Sequence, residues 1–473
     1  MPENRRRIYA SGHAPVVAGI MELPMSIDCT LQIINMTGHP VSITTTLVNA
    51  KDWAQPGKQN PLVFSGGQIP AYGKTVASPQ VLAQGHNSAE FRLSFTTPLG
   101  EVGTLADARP VTAPDLAKNM GCRKGYLPTF GDAATHFQVL EAQHPASSNG
   151  NDGALTIVLI PKIDPKTWMS KLPDDLYLRD LTLPGSHDAG TAAYIIGLSR
   201  CQDLSIGEQL DKGARYFDIR LDSTYPLEIV HGASNTGKYF EKDCLAPMAE
   251  FLKHRGTEET IVMCINSGAE DHFHDSVIGL VRRALNNTFG GDSWLEHFEI
   301  DTHQKPLKDL RQKIVFMRRY PFDKASSKYL HCRGIEMIDF KNLTGSGSFK
   351  WPDDSDSFTE AGGYLLNTAG ESYAIQDRYG LNSFPIPSKV ALIENYLARW
   401  QKGAWFLNFL SGSEAYLLPR GVAEGFYMIN AHIFDYIIKN GVKSYGTLPM
   451  DFMTQPEGLL DLMIASNQKL FVK

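Results

Sequence analysis

The order of apolar and polar positions divides the chain in two. In the first third, apolar residues alternate with polar ones: Val41, Ile43, Thr45 and Leu47, then Phe91, Leu93 and Phe95, then Leu155, Ile157 and Leu159. A period of two marks strands with one buried face. The runs end in turn-forming clusters such as Gly66-Gly67 and Ser147-Ser148-Asn149-Gly150, and no stretch of helical period occurs before about residue 165. Short alternating strands between turn signals predict an all-β sandwich over residues 15–160, behind a flexible arm at residues 1–14.

Residues 161–175 carry three prolines and several charges and read as a linker. Beyond them the texture changes. Strand patterns at Leu178–Leu183, Ala214–Leu221, Glu228–His231, Thr260–Ile265, Lys313–Arg318, Ile335–Phe340, Ala404–Leu410 and Tyr445–Asp451 alternate with helical ones at Pro247–Lys253, His274–Asn286 and Ser388–Trp400. About eight strands alternating with helices over roughly 300 residues predict a distorted (β/α)8 TIM-type barrel over residues 176–473. An open doubly wound sheet would want a Gly-rich turn after its first strand, and none follows.

Composition narrows the function. The chain has 473 residues, 42% hydrophobic and 20% charged, which suits two globular domains. Its net charge is −6 with no long basic block, which argues against nucleic acid as a partner. No apolar run is long enough to span a bilayer, and the start lacks the basic-then-apolar order of an ordinary secretory leader. The six cysteines are scattered without a C-x-x-C pair, so single buried thiols are expected rather than a zinc site or disulfides. No cofactor or metal is expected.

If the second part is a barrel, its chemistry belongs where strands end. The first strand runs into Pro184-Gly185-Ser186-His187-Asp188-Ala189-Gly190-Thr191, the second supplies Asp218 and Arg220 two residues apart, and the third ends at His231-Gly232. Two imidazoles can divide acid and base work near neutral pH. An arginine between them can hold a phosphate with a two-pronged donor set. A metal-dependent version would want carboxylates where Arg220 stands.

These three segments resemble successive signatures of the bacterial phosphatidylinositol-specific phospholipases C. Further resemblance lies in Gln312–Tyr320 with its arginines, in Gln376-Asp377-Arg378-Tyr379, and in Gly446–Asp451. The resemblance spans about residues 176–455 and implies metal-independent cleavage of phosphatidylinositol to diacylglycerol and inositol 1,2-cyclic phosphate. It implies that His187, backed by Asp451, is the general base, and that His231, supported by Asp188, is the general acid. Arg220 would bind the phosphate, with Asp218 holding Arg220 or completing the network. Arg319, Asp377 and Tyr379 would contact the sugar ring, although Arg318 is adjacent and only one of the two arginines can point inward. The family usually has a lysine where this chain has Asn266, so Asn266 bears on head-group specificity.

The expected partner is a phosphoinositide lipid, with the protein secreted or peripheral at a membrane surface. Ile195 and Ile196, and Tyr416 and Leu417, are candidates for an apolar rim. Cys29–Gly38 and Ile69–Gly73 faintly resemble aegerolysin-type sandwiches, which bind membranes, so membrane targeting is a role open to the first domain. Two alternatives stand beside the phospholipase reading: a barrel phosphodiesterase acting on another phospholipid head group, or a non-enzymatic membrane-binding protein with an inert barrel.

Overall fold

A computed structural model describes residues 26–48, 62, 64, 67–82, 89–108, 124–144, 153–193, 199–232, 234–267, 272–301, 304–321, 327–342, 348–349, 351, 365–367, 369–381, 386–413, 418–424 and 428–471. The candidate rim residues Ile195, Ile196, Tyr416 and Leu417 lie outside these.

The N-terminal part forms two sheets. One is ordered Lys74–Ala77, Ser26–Asn35, Gly153–Pro161, Phe137–His144, Lys124–Leu127; the other is ordered Gln68–Ile69, Val41–Leu47, Glu90–Thr97, Gly100–Asp107, Thr129–Phe130. Phe91, Leu93 and Phe95 from the second sheet share one core with Leu31, Ile33, Val139, Leu155, Ile157 and Leu159 from the first. The period of two in the sequence thus sorts side chains to the space between the sheets.

The first sheet is buried on its other face as well. Ile34, Met36, Leu140, Ala142, Val158 and Ile160 join the cluster that holds Leu459 and Met463 of the helix Leu459–Ala465. The approach is close: at Gly458, which has φ +86°, a Cβ would lie 2.5 Å from Leu140 Cδ2. Polar contacts flank this seam. Lys124 Nζ pairs with Asp435 Oδ2 at 2.7 Å, and the Tyr126 hydroxyl donates to Asp461.

The second part is a TIM-barrel-like α/β fold. Its centre is a run of parallel strands in the order Lys313–Arg319, Thr260–Asn266, Tyr216–Arg220, Leu183–Ser186, Thr447–Met450, Trp405–Asn408, Ser372–Gln376. Leu365–Leu366 and Phe340–Asn342 continue it in antiparallel fashion. One stretch of chain joins the two ends of the sheet. Ile335–Glu336 pairs with Lys313–Arg319, and Phe340–Asn342 pairs with Leu365–Leu366.

Each central strand sorts its residues between two buried faces. Val262 and Cys264 enter the interior with Tyr216, Val315 and Met317, while Ile261, Met263 and Ile265 face the outer helices with Phe217, Ile219, Ile314 and Phe316. Continuing the inward set by twos leads to Asp218 and Arg220, to Asn266 and to Arg319. The register makes these rows. Asp218 lies beside Cys264, which lies beside Met317, and Arg220 lies beside Asn266, which lies beside Arg319.

Several expectations need correction. Leu178–Asp180 is a 3-10 turn, and the first barrel strand is Leu183–Ser186. Leu178 and Leu181 are instead buried in the interior cluster together with Trp168, Met169 and Leu172, which come from the stretch read as a linker. That stretch is tied down further by Arg215, whose Nη2 donates to the carbonyls of Pro165 and Lys166 at 3.0 and 2.9 Å. Glu228–His231 is not a barrel strand. It pairs antiparallel with Ser234–Tyr239 in a separate two-stranded sheet, because Gly232 at φ +59° turns the chain back at once. Ser372–Gln376, not anticipated, takes a place in the barrel.

Candidate active site

His187 follows the last residue of its strand. Its backbone N–H donates to the Met450 carbonyl at 3.1 Å, which sets it beside the end of the neighbouring strand and hence beside Asp451. Gln202 Nε2 donates to both the His187 and Met450 carbonyls at 2.8 Å, and Asn430 Nδ2 donates to the Asp451 carbonyl at 2.9 Å. Both amides are buried and act as clamps. His187 Nδ1 lies 2.7 Å from Asp451 Oδ1. A carboxylate only accepts, so the proton of the neutral ring sits on Nδ1 and Nε2 carries the lone pair.

Nε2 faces a donor and an acceptor. Arg220 Nη2 is 3.2 Å away and Asp188 Oδ2 is 3.4 Å away. The neutral ring accepts from Arg220; the imidazolium donates to Asp188. Burial disfavours the charged form, but Asp188 and Asp451 outweigh burial and the Arg220 charge, and raise the His187 pKa to about 9.

Asp188 is the hub. Its backbone is left-handed at φ 42°, a conformation uncommon outside glycine, and its side chain is fully buried. Oδ1 lies 2.7 Å from Arg220 Nε, and Oδ2 lies 3.3 Å from His231 Nε2. Burial alone would raise its pKa; the cations Arg220, His187 and His231 hold it well below the usual carboxylate range. His231 Nδ1 is 2.9 Å from the Ser199 carbonyl, which fixes the ring so that Nε2 faces the site.

Beside this cluster lies a second polar group. Arg319, not Arg318, points inward: Nη1 is 3.4 Å from Asp218 Oδ1 and Nη2 is 3.5 Å from Asp377 Oδ2. Arg318 has the opposite strand parity and pairs with Glu336 at 3.0 Å. Trp351 was not anticipated. Its ring stacks under the Arg319 guanidinium at 3.7 Å, and its Nε1–H donates to Asp377 Oδ2 at 2.8 Å. A tryptophan within Lys350-Trp351-Pro352 carries no spacing signal that would have flagged it. Asn266 ends its strand between Arg220 and Arg319. Tyr379 is 45% exposed, two residues beyond Asp377.

Chemically, the arrangement offers two imidazoles of fixed tautomer and a guanidinium on a shared carboxylate, open to an anion. Three sets of side chains also have ligand atoms close enough to hold a metal ion: His187, Asp188 and Asp218; His187, Cys201 and Asp451; and Asp188, Cys201 and His231. Arg220 reaches His187 Nε2 and Asp188, so its charge opposes a cation in the first set.

Comparison with known proteins finds relatives of this chain. The family model described as phosphatidylinositol-specific phospholipase C, X domain, matches residues 182–320. A 1-phosphatidylinositol phosphodiesterase of Listeria monocytogenes is 32% identical over 303 residues, covering 61% of this chain and 81% of the relative. One from Staphylococcus aureus is 25% identical over 308 residues, covering 61% and 88%. The solved F249X mutant of the S. aureus phosphatidylinositol-specific phospholipase C superposes with a TM-score of 0.51 at 23% identity, over 64% of this chain and 98% of that one. That last likeness speaks for the fold.

Proposed function

The chain belongs to the phosphatidylinositol-specific phospholipase C family, and on that premise we propose that it cleaves phosphatidylinositol by general acid–base catalysis without a metal ion. The observation that carries this reading is the meeting of His187, Arg220 and His231 on Asp188, within 2.7 to 3.4 Å of its two oxygens.

The steps follow from the atoms. His187 Nε2 takes the proton of the inositol 2-hydroxyl, and that oxygen attacks phosphorus. The bond from phosphorus to the glycerol oxygen breaks, and His231 Nε2–H protonates the departing oxygen. The products are inositol 1,2-cyclic phosphate and diacylglycerol. The nucleophile belongs to the substrate, so proximity comes with binding. Arg220 offsets charge on the phosphoryl oxygens. Asp451 and Asp188 are positioning residues for the two rings, and Asp218 holds Arg319. Arg319, Asp377, Tyr379 and Asn266 form the sugar side of the cleft, with Trp351 supporting Arg319 and Asp377.

We read the two N-terminal sheets over residues 15–160 as a β-sandwich and residues 176–473 as the catalytic domain. The shared core at Val158 and Ile160 favours a sandwich fixed against the barrel, where it would present the cleft to a membrane surface.

Purified protein in EDTA should release diacylglycerol from phosphatidylinositol vesicles and not from phosphatidylcholine vesicles. Release only after calcium is added would refute the metal-independent mechanism. Release from phosphatidylcholine alone would refute the head-group assignment.

A further inference from the structure

Cys201 is a nucleophilic side chain beside the site that the mechanism leaves unused. It is 1% exposed, and its thiol points at Asp188 Oδ2 from 3.8 Å. Its backbone is fixed at both ends: Cys201 N–H donates to Thr191 Oγ1 at 3.0 Å, and its carbonyl accepts from Phe452 N–H at 2.8 Å. We propose that Cys201, His231 and Asp188 form an inhibitory site for a thiophilic divalent cation of the zinc class.

Geometry carries the proposal. Bond lengths to zinc of about 2.3 Å for sulfur and about 2.0–2.2 Å for nitrogen and oxygen place tetrahedral neighbours roughly 3.3 to 3.7 Å apart. Asp188 Oδ2 lies 3.3 Å from His231 Nε2 and 3.8 Å from Cys201 Sγ, and all three ligand atoms fall within 4.8 Å of one another. The tautomer is right too. The Ser199 carbonyl 2.9 Å from His231 Nδ1 holds that ring's proton and frees the Nε2 lone pair, the usual outer support of a zinc-bound histidine. Thiolate, imidazole and carboxylate together are a zinc-class donor set, and three ligands leave a fourth position open.

Arg220 engages Asp188 through Oδ1, which leaves Oδ2 facing the other two ligands. His187 Nε2 also lies 3.4 Å from Oδ2, so the ion takes the place of the proton that His187 would share with that oxygen. His231, with a side chain 23% exposed, gives the ion a route in. On ligation Cys201 releases its proton to solvent. A cation on His231 Nε2 occupies the atom that would protonate the leaving group, so turnover stops while the fold is unchanged. Only this loss of turnover rests on the phospholipase reading; metal binding does not.

The test separates the two. Metal-free full-length protein is titrated with cobalt(II) in the absence of lipid, and thiolate-to-cobalt charge-transfer absorption is recorded. The wild type should develop the band to one equivalent and lose it on addition of zinc; Cys201→Ala and Cys201→Ser should show neither change. No band in the wild type, or an unchanged band in Cys201→Ala, overturns the site. In the lipid assay, Cys201→Ala should retain basal turnover within about threefold and need at least about tenfold more zinc for half-inhibition. Equal zinc sensitivity of variant and wild type overturns the inhibitory role even if cobalt binds.

Discussion

His187 Nδ1 and Asp451 Oδ1 lie 2.7 Å apart although 264 residues separate them in sequence. The barrel makes this contact by pairing its first and last strands, Leu183–Ser186 and Thr447–Met450, in parallel register. Asp451 therefore does two things to His187: it fixes which nitrogen is basic and helps raise its pKa to about 9.

The pH dependence follows. The base must be neutral and the acid protonated, so kcat/KM should be bell-shaped, and loss of the His187 proton, whose pKa is raised to about 9, sets one limb. Replacing Asp451 with Asn removes one of the two carboxylates that favour the imidazolium, so this limb should move to lower pH. The peak rate should fall by about 10²-fold or more, since the ring loses its orientation. An unmoved limb in Asp451→Asn would show that another group controls it. The same shift bears on stability. The charged ring is favoured by the fold, so its contribution is complete below about pH 6.5, the unfolded value, and is lost as pH rises through about 9.

His187 and His231 can be told apart by the leaving group. An aryl phosphodiester of inositol departs without protonation. His231→Ala should lose about 10²–10⁴-fold on the lipid and far less on the aryl ester, whereas His187→Ala should be impaired on both. Equal losses of His231→Ala on the two substrates would argue against its acid role.

Arg220 binds Asp188 through Nε and reaches His187 through Nη2. A lysine offers one point charge and cannot make both contacts. Arg220→Lys should lower kcat by about 10²–10³-fold, measured at saturating lipid in mixed micelles.

Trp351 touches Arg319 and Asp377. Trp351→Ala should raise KM about 3- to 30-fold with a smaller change in kcat, and Trp351→Phe should recover part of the loss by restoring the stacked ring.

The legible parts of this molecule were those that local pattern determines. Strand parity foretold that Asp218 and Arg220 share a face, and the same parity settles Arg319 over Arg318. The rigid Pro184–Thr191 turn announced His187. What stayed hidden came from long-range packing. His231 reaches the site from a hairpin outside the barrel, and the Glu228–His231 pattern looks the same in either setting. Trp351 matters only because the fold brings it to Arg319 and Asp377. The linker composition of residues 161–175 conceals Trp168, which is buried in the interior cluster and donates its indole N–H to the Gly213 carbonyl at 3.1 Å.

The two parts of the chain share apolar core at Ile160 and Val158. Ile160→Ala should cost about 2–5 kcal/mol of stability, and the whole chain should unfold in one transition by both calorimetry and circular dichroism. Two separate transitions in the wild type would contradict a shared core.

Phosphorus NMR of phosphatidylinositol vesicles with the protein in EDTA gives the most direct reading of the central claim, that two imidazoles and a guanidinium on Asp188 drive intramolecular attack. The wild type should produce the five-membered cyclic phosphate resonance first, and His187→Ala should produce none over the same time. An acyclic inositol phosphate as the first product, or a cyclic signal undiminished in His187→Ala, would contradict it.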